Sequence, residues 1–302
     1  MQTTGLRYFL AVARTGSIAA ASARLNVASS AISRQIANLE SELGCVLFER
    51  RPRGMVPSPA GALLADHAHN ILTRADQATE EIQSLRGTAR GLVRVAAAEG
   101  FALDIVPATM AAFMRRFPGV RFELSVTSPL NVTQRVATGE VDVGITFVFN
   151  HSASVQIVHD ARAEMVGICA VDHPLAGARR VPLSAFADYP VVLMSQDTTS
   201  RQAFDLACRD ERIAIEPAMA VNTLPAILSF VRQTRAIGPA GFLSVQSTIR
   251  RREIAFFTLE NAARLARPIQ IQTMRDRSLP DSVRLFVEDL VAAVSVRTDQ
   301  PV

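Results

Sequence analysis

The sequence predicts a multidomain chain: an all-α, winged helix-turn-helix N-terminal domain, a long coiled-coil linker helix, and a C-terminal α/β region of two Rossmann-like lobes. Three observations carry this. Residues 17–37 read as two short helices joined by a tight turn. Apolar residues from Leu64 to Leu85 advance by four and three without a break. Beyond residue 91, strand-like and helix-like segments alternate to the end of the chain. With 302 residues, 49% of them apolar, two to three domains with real cores are expected.

Ser17 is placed to cap the first short helix, and Ala19, Ala20, Ala21, Ala23 and Leu25 carry it with high propensity. Asn26 breaks the run. A second helix begins near Ser29, with Ile32, Ile36 and Leu39 as its inward stripe. Ser29, Ser30, Ser33, Arg34, Gln35 and Asn38 are left on or beside the outer face, where they can donate to phosphates and base edges. Taken alone, the segment also fits an ordinary surface helical hairpin. Residues 46–56 tip the balance: Val46 to Phe48 reads as a strand, Pro52 and Gly54 as a turn and Val56 as the start of a return strand. Arg50, Arg51 and Arg53 fall about the tip, where a wing touches phosphates.

Ser58-Pro59 supplies an N-cap and a first-turn proline for the next helix. Leu64, Ala68, Ile71, Ala75, Ala78, Ile82 and Leu85 form its heptad seam. From Pro59 to Arg86 it would span about 42 Å at 1.5 Å per residue. So long a helix with a narrow, alanine-rich stripe fits dimerisation better than packing on its own domain. Charge agrees with the N-terminal reading. Residues 1–58 hold seven arginines against three glutamates, a balance of +4 that equals the net charge of the whole chain. The basic excess therefore sits where nucleic acid would be.

Three blocks resemble the N-terminal portion of LysR-type transcriptional regulators: LRYFLAVARTGSIAAASARLNV, SSAISRQIANLESELGCVLFERRPRG and SPAGALL. The family usually shows Ser-Gln where this chain has Ala28-Ser29. That departure removes an amide able to pair with adenine, and it removes an N-cap at position 28 that Ser29 can supply one residue later. The resemblance implies operator DNA as partner, homodimers through the linker helix and a homotetramer. It also implies a small-molecule effector of unknown identity, and RNA polymerase as a further candidate partner. The division expected is 1–58 for DNA binding, 59–91 for linker helix and hinge, and 92–302 for effector binding.

The remainder alternates as strand 92–98, helix 104–117, strand 120–127, helix 131–138 and strand 141–147, which argues a parallel sheet. The pattern recurs from Tyr189, with strand 191–194, helix 200–209, strand 218–221 and helix 224–233. Strands near 164–171 and 254–258 should flank the second unit. Residues 270–274 and a helix over 280–296 return to the first. Lobe I is thus expected at about 92–160 plus 267–302, and lobe II at about 161–266. Asp172-His173-Pro174-Leu175 and the stretch Gly139 to Ile145 resemble segments of the periplasmic-binding-protein-like effector domain of the same family.

A ligand would sit in the cleft at the carboxyl ends of the strands. Glu99-Gly100-Phe101 follows the first strand, near where the family often places a small hydroxyl residue. An unpaired Glu99 in the cleft would favour a cationic or hydroxyl-donating effector, and the alternative is a surface glutamate held by a local arginine. Ser195, Gln196, Thr198, Thr199 and Ser200 open onto a helix whose free N–H groups make an anion site. Ser128, Thr146, Phe147, Asn222 and Thr223 follow other strands and line the same cleft.

Cys45, Cys169 and Cys208 lack CxxC spacing and read as reduced thiols. His67 and His69 point to different sides of a helix, and His151, His159 and His173 show no ligand spacing, so no metal or other cofactor is expected. No nucleotide-binding, nucleophile-elbow or zinc-protease motif occurs, no catalytic constellation is visible and no run of membrane-spanning length appears. A non-enzymatic cytoplasmic DNA-binding regulator is expected. The competing class is a cytoplasmic α/β small-molecule-binding protein or enzyme with a structural helical N-terminus.

Overall fold

The computed structural model describes residues 3–51, 54–65, 67–68, 71–72, 75, 90–148, 152–196, 198–260 and 262–298. The chain divides into two compact units, Met1–Thr88 with Thr138–Glu140, and Ala89–Ala137 with Val141–Val302.

The first unit is built on three helices: α1 (Thr3–Thr15), α2 (Ile18–Leu25) and α3 (Ser29–Leu43). Leu6, Phe9 and Val12 of α1 meet Ala21 of α2 and the Ile32, Ile36, Leu39 stripe of α3 in one core. The Ser17 hydroxyl accepts from the Ala20 N–H at 3.4 Å. Asn26 ends α2 in the left-handed region at φ 53°, which its short amide tolerates. Strands β1 (Phe48–Arg51) and β2 (Gly54–Pro57) form the antiparallel wing. Gly54 is required there: at φ +123°, an added Cβ would lie 2.5 Å from the Gly16 carbonyl oxygen. The first wing strand starts at Phe48 rather than Val46, because the Val46 carbonyl instead accepts the Ser58 hydroxyl at 2.6 Å. That hydroxyl also receives the Gly61 N–H at 3.0 Å, so Ser58 caps the next helix. This helix, α4, is helical over 59–65 and at the described positions through 75.

The second unit has two lobes. Lobe I is a five-stranded sheet in the order β4-β3-β5-β12-β6. Its strands are β3 (Gly91–Ala97), β4 (Val120–Val126), β5 (Val143–Phe147), β6 (Val155–Ala163) and β12 (Arg267–Met274). The first three are mutually parallel, as their helical crossovers require, whereas β12 runs antiparallel to both β5 and β6. Around it pack α5 (Glu99–Ala102), α6 (Ile105–Arg116), α7 (Pro129–Ala137) and α12 (Asp281–Thr298). Phe113, Phe122 and Phe286 pack ring on ring in the core between helices and sheet.

Lobe II holds β7 (Met165–Cys169), β8 (Val192–Met194), β9 (Met219–Val221), β10 (Gly238–Gly241) and β11 (Ala255–Thr258). The order β10-β7-β11 is antiparallel, and the parallel pair β8-β9 joins β10 through a Val191–Ile237 bridge. Helices α8 (Thr199–Asp210), α9 (Leu224–Gln233), α10 (Phe242–Arg250) and α11 (Ala262–Leu265) surround it. The expected segments omit β6, β10 and α10, and the short helices α5 and α11. The chain enters lobe II just after Ala163 and leaves it at Arg267, and these two residues face each other in the β6–β12 register. Both crossings therefore meet at one point.

A charged pair pins lobe I. Asp142 accepts from Arg277 Nη2 at 2.8 Å and from the Arg94 N–H at 2.8 Å, with both side chains of the ion pair no more than 5% exposed.

Candidate functional sites

On α3 the inward stripe leaves Ala28, Ser29, Ser30, Ser33, Arg34 and Asn38 exposed. Arg34 makes no hydrogen bond or ion pair among the described residues, so its guanidinium is available to a phosphate or a guanine edge. Ser33 donates instead to the Ser29 carbonyl one turn back at 3.0 Å. Gln35 is half-buried and its amide oxygen lies against α1, which removes it from the outer face. The N-cap position falls on Ala28, which offers no side-chain bond; Ser29 lies inside the first turn and does not replace it. Ser17 is half-buried, with its hydroxyl engaged at the α2 cap. On the wing, Arg51 is exposed and pairs with Glu49 at 2.8 Å. Arg50 and Arg51 belong to β1 rather than to the tip, Arg50's side chain is outside the described residues, and so is Arg53.

Along α4, Ala68 and Leu72 are buried and Leu64 half-buried against the N-terminal core. Leu63 and Ile71 flank that stripe along one edge and are 62% and 38% exposed. The apolar face of the helix is thus covered by its own domain on the Ala68–Leu72 edge and open on the Leu63–Ile71 edge, while Ala75 is half-buried. Ala78, Ile82 and Leu85 lie outside the described residues.

Between the lobes of the second unit is a cavity of about 390 Å³. Of the residues expected in the cleft, Glu99, Gly100, Ser128, Phe147, Thr198, Thr199, Ser200 and Asn222 line it. Five do not, Gln196 among them. Phe101 is fully buried, stacked on Phe147 at 4.5 Å between centroids. Thr146 points into the sheet, its hydroxyl donating to the Phe147 carbonyl at 3.2 Å. Ser195 serves the turn before α8, where its carbonyl takes the Thr198 hydroxyl at 2.8 Å. Thr223 precedes α9 without a side-chain bond.

Glu99 follows neither expected alternative. Its Oε2 accepts the Leu224 N–H at 3.1 Å, so it crosses the cleft and caps α9 in place of the silent Thr223. Burial raises its pKa above the usual 4.5, and the Leu224 N–H partly offsets this. Gly100 is needed beside it: an added Cβ would lie 2.1 Å from Ser244 Oγ of α10.

The residue that sequence reasoning missed is Arg267. Only 5% exposed, it ends the cleft with its guanidinium 3.9 Å from the Phe147 ring centroid. Its Nη1 donates to Thr199 Oγ1 at 2.8 Å, joining the strand crossing to lobe II. Burial brings its pKa down from 12.5 to about 10. An arginine opening a strand gives no signal in the chain, since nothing local distinguishes it from the other basic residues. Ser244 was missed with its helix α10.

The thiols are quiet: burial pushes Cys169 up to about 12 and Cys208 to about 11. His173 is buried, accepts the Leu175 N–H at Nδ1 and meets Tyr189 edge-on. Among the described residues no cluster could hold a metal ion, and no helix is long and apolar enough to cross a membrane.

A winged helix-turn-helix unit with an exposed cationic helix face, followed by a two-lobed α/β unit with a ligand-sized cleft, defines a ligand-responsive DNA-binding protein. Residues 3–62 match the bacterial regulatory helix-turn-helix model of the lysR family, and 86–295 match the LysR substrate-binding domain. The chain belongs to the LysR family of transcriptional regulators. It is 28% identical over 255 residues to the RuBisCO operon transcriptional regulator of Allochromatium vinosum, covering 84% of each chain. To the regulator YofA of Bacillus subtilis (strain 168) it is 28% identical over 231 residues, covering 76% of this chain and 78% of that one. Its fold is similar to CbnR complexed with target DNA (TM-score 0.65, 23% identity, 97% and 100% covered). It is also similar to a full-length OxyR variant from Pseudomonas aeruginosa (TM-score 0.71, 19% identity, 100% and 99% covered).

Proposed function

We propose that this LysR-type regulator reads a partly palindromic operator as a homodimer, or as a tetramer of two such dimers, and changes its grip when a small molecule enters the cleft. Residues 1–58 read DNA, 59–91 join two copies, and 92–302 sense the effector. The observation that carries the reading is the row Ser29, Ser30, Arg34 and Asn38. All four are exposed on α3, opposite a fully used apolar stripe, and Arg34 has no partner among the described residues. Bare polar side chains on a short second helix suit insertion into a major groove. Leu63 and Ile71, uncovered on α4, support pairing of two copies, which doubles the contacts to DNA and imposes two-fold half-sites. Control follows if the effector binds the two arrangements of the lobes with different affinity. Family membership argues against an enzyme and for action on cytoplasmic DNA.

The test is selection of genomic fragments by the purified protein at about 150 mM salt, which suppresses non-specific binding. Enrichment of a few sites with paired half-sites is the expected result. Recovery that is uniform across fragments, with and without cell extract as an effector source, would count against the proposal.

A further inference from the structure

Resting on the reading of the cleft as an effector site, the geometry points to the class of effector: a small monocarboxylate with an apolar body and a hydrogen-bond donor, hydroxyl or ammonium, beside the carboxylate-bearing carbon. Its anion would sit on Arg267.

The first support is an imbalance of charge. A guanidinium carries five N–H donors, and among the described residues Arg267 uses one, to Thr199. No carboxylate of those residues lies within ion-pair distance of it. Buried cations are normally paired, because leaving one alone forfeits its hydration without return. Arg267 lines the cavity and its other donors have no acceptor among the described residues, so a ligand anion in the cavity can supply the partner. A guanidinium fork fits a carboxylate with two parallel bonds.

Neighbouring groups converge on the same spot. The first-turn N–H groups of Thr199 and Ser200 have no acceptor among the described residues, while Thr198 already caps the Arg201 N–H. The start of α8 thus adds donors and a positive dipole end to the Arg267 cation. An added Cβ at Gly241 would meet Arg267 Nη2 at 3.0 Å and Ser244 Oγ at 3.5 Å, and both residues line the cavity.

Glu99 limits the ligand to one negative charge. One of its oxygens caps α9, and the other has no partner among the described residues. A second carboxylate on the ligand would meet it as a like charge, whereas a hydroxyl or ammonium would donate to it. Phe147, Met194, Leu224, Pro239 and Val126 supply apolar wall, which suits a hydrocarbon body and not a bare inorganic anion.

The experiment is titration calorimetry of the full chain with probes matched on two bodies, phenyl and isobutyl. The hydroxy acids are phenyllactate and 2-hydroxyisocaproate, the amino acids phenylalanine and leucine. Phenethylamine and isoamylamine carry no carboxylate, benzylmalonate and isobutylmalonate carry two, and sulfate is the inorganic arm. Saturable binding of at least one hydroxy or amino acid is expected, at least tenfold tighter than its amine and dicarboxylate counterparts and than sulfate. Arg267→Met should abolish it. Thr199→Val, which leaves the cation in place, should weaken it severalfold. Equal or tighter binding of an amine, a dicarboxylate or sulfate overturns the inference. So does binding unchanged in Arg267→Met, or no binding by any of the four acids at millimolar concentration. Failure here is separable from failure of the regulator reading: operator sites enriched by a chain that binds no acid leave the regulator standing and remove the anion site. An acid bound by a chain that enriches no operator does the reverse.

Discussion

Replacing Arg267 with methionine should cost the ligand-free protein almost nothing, although the site is deep in the second unit. A pKa of about 10 in place of 12.5 means that burial penalises the charged side chain by about 3 kcal/mol. The bond to Thr199 returns about 1.5 kcal/mol and the Phe147 ring about 1 kcal/mol. These terms nearly cancel. Methionine keeps an unbranched apolar stem against Phe147 and removes the penalty together with both gains. The expected change is therefore within about 1 kcal/mol, or about 2–4 °C in the melting temperature of a domain this size. Scanning calorimetry of the full chain, with and without a carboxylate that binds the wild type, would read it. The ligand should raise the melting temperature of the wild type and not of the variant. A variant destabilised by more than about 3 kcal/mol would refute the reasoning, because such a loss is the mark of a buried cation whose partner is already in place.

The contrast is Asp142→Ala, which removes the buried carboxylate from Arg277 and the acceptor from the Arg94 N–H and should destabilise the effector unit by about 3–5 kcal/mol in urea unfolding. Glu99 has a raised pKa in the folded state, so the native protein binds the extra proton and stability falls as pH rises from about 4.5 through that raised value. Glu99→Gln should flatten this part of the stability–pH curve, and an unchanged slope would show that another group sets it. Arg51→Ala on the wing should weaken binding to all DNA sequences and lower the salt slope by about 1 per half-site, read by fluorescence titration over a salt series. Arg34→Ala should instead alter base preference at one position of each half-site, by about 1–3 kcal/mol against the favoured base.

Much of the architecture was legible because it rests on local signals. The Ile32, Ile36, Leu39 stripe, the Asn26 break and the Ser58-Pro59 cap each act within a few residues, and each appears where its chemistry puts it. The crossovers after β3 and β4 followed from simple alternation of strand and helix. What escaped depends on partners distant in the chain. Strand β6 carries Gln156, His159, Asp160 and Arg162, which weaken its strand signal, and β12 gives it its pairing from over a hundred residues away. Gly238 to Gly241 has the composition of a turn, and becomes a strand because Gly238 lets Val192 of β8 come close. In the cleft, eight of the thirteen expected residues were found from their position after strands, which places backbone at the cavity but not side chains. Thr146 shows the limit, since alternation in β5 turns it to the face opposite Phe147, while Phe101, in α5, turns into the core.

Glu99 and Arg267 also explain why a ligand in this cleft should move the lobes. Arg267 lies opposite Ala163 at the point where both chain crossings meet, and its side chain reaches Thr199 in lobe II. Glu99 reaches across to α9 from lobe I. One residue thus links the lobes at the crossing and the other across the mouth, by a single hydrogen bond each. An anion that bridges Arg267 to the start of α8 strengthens the first link, and a donor on the free Glu99 oxygen draws charge from the oxygen that holds α9 and so weakens that bond. A ligand with both groups therefore stabilises one link at the expense of the other, so its affinity must differ between lobe arrangements that keep the Glu99–Leu224 bond and those that release it. That difference in affinity, and not occupancy of the cleft alone, is what a switch requires.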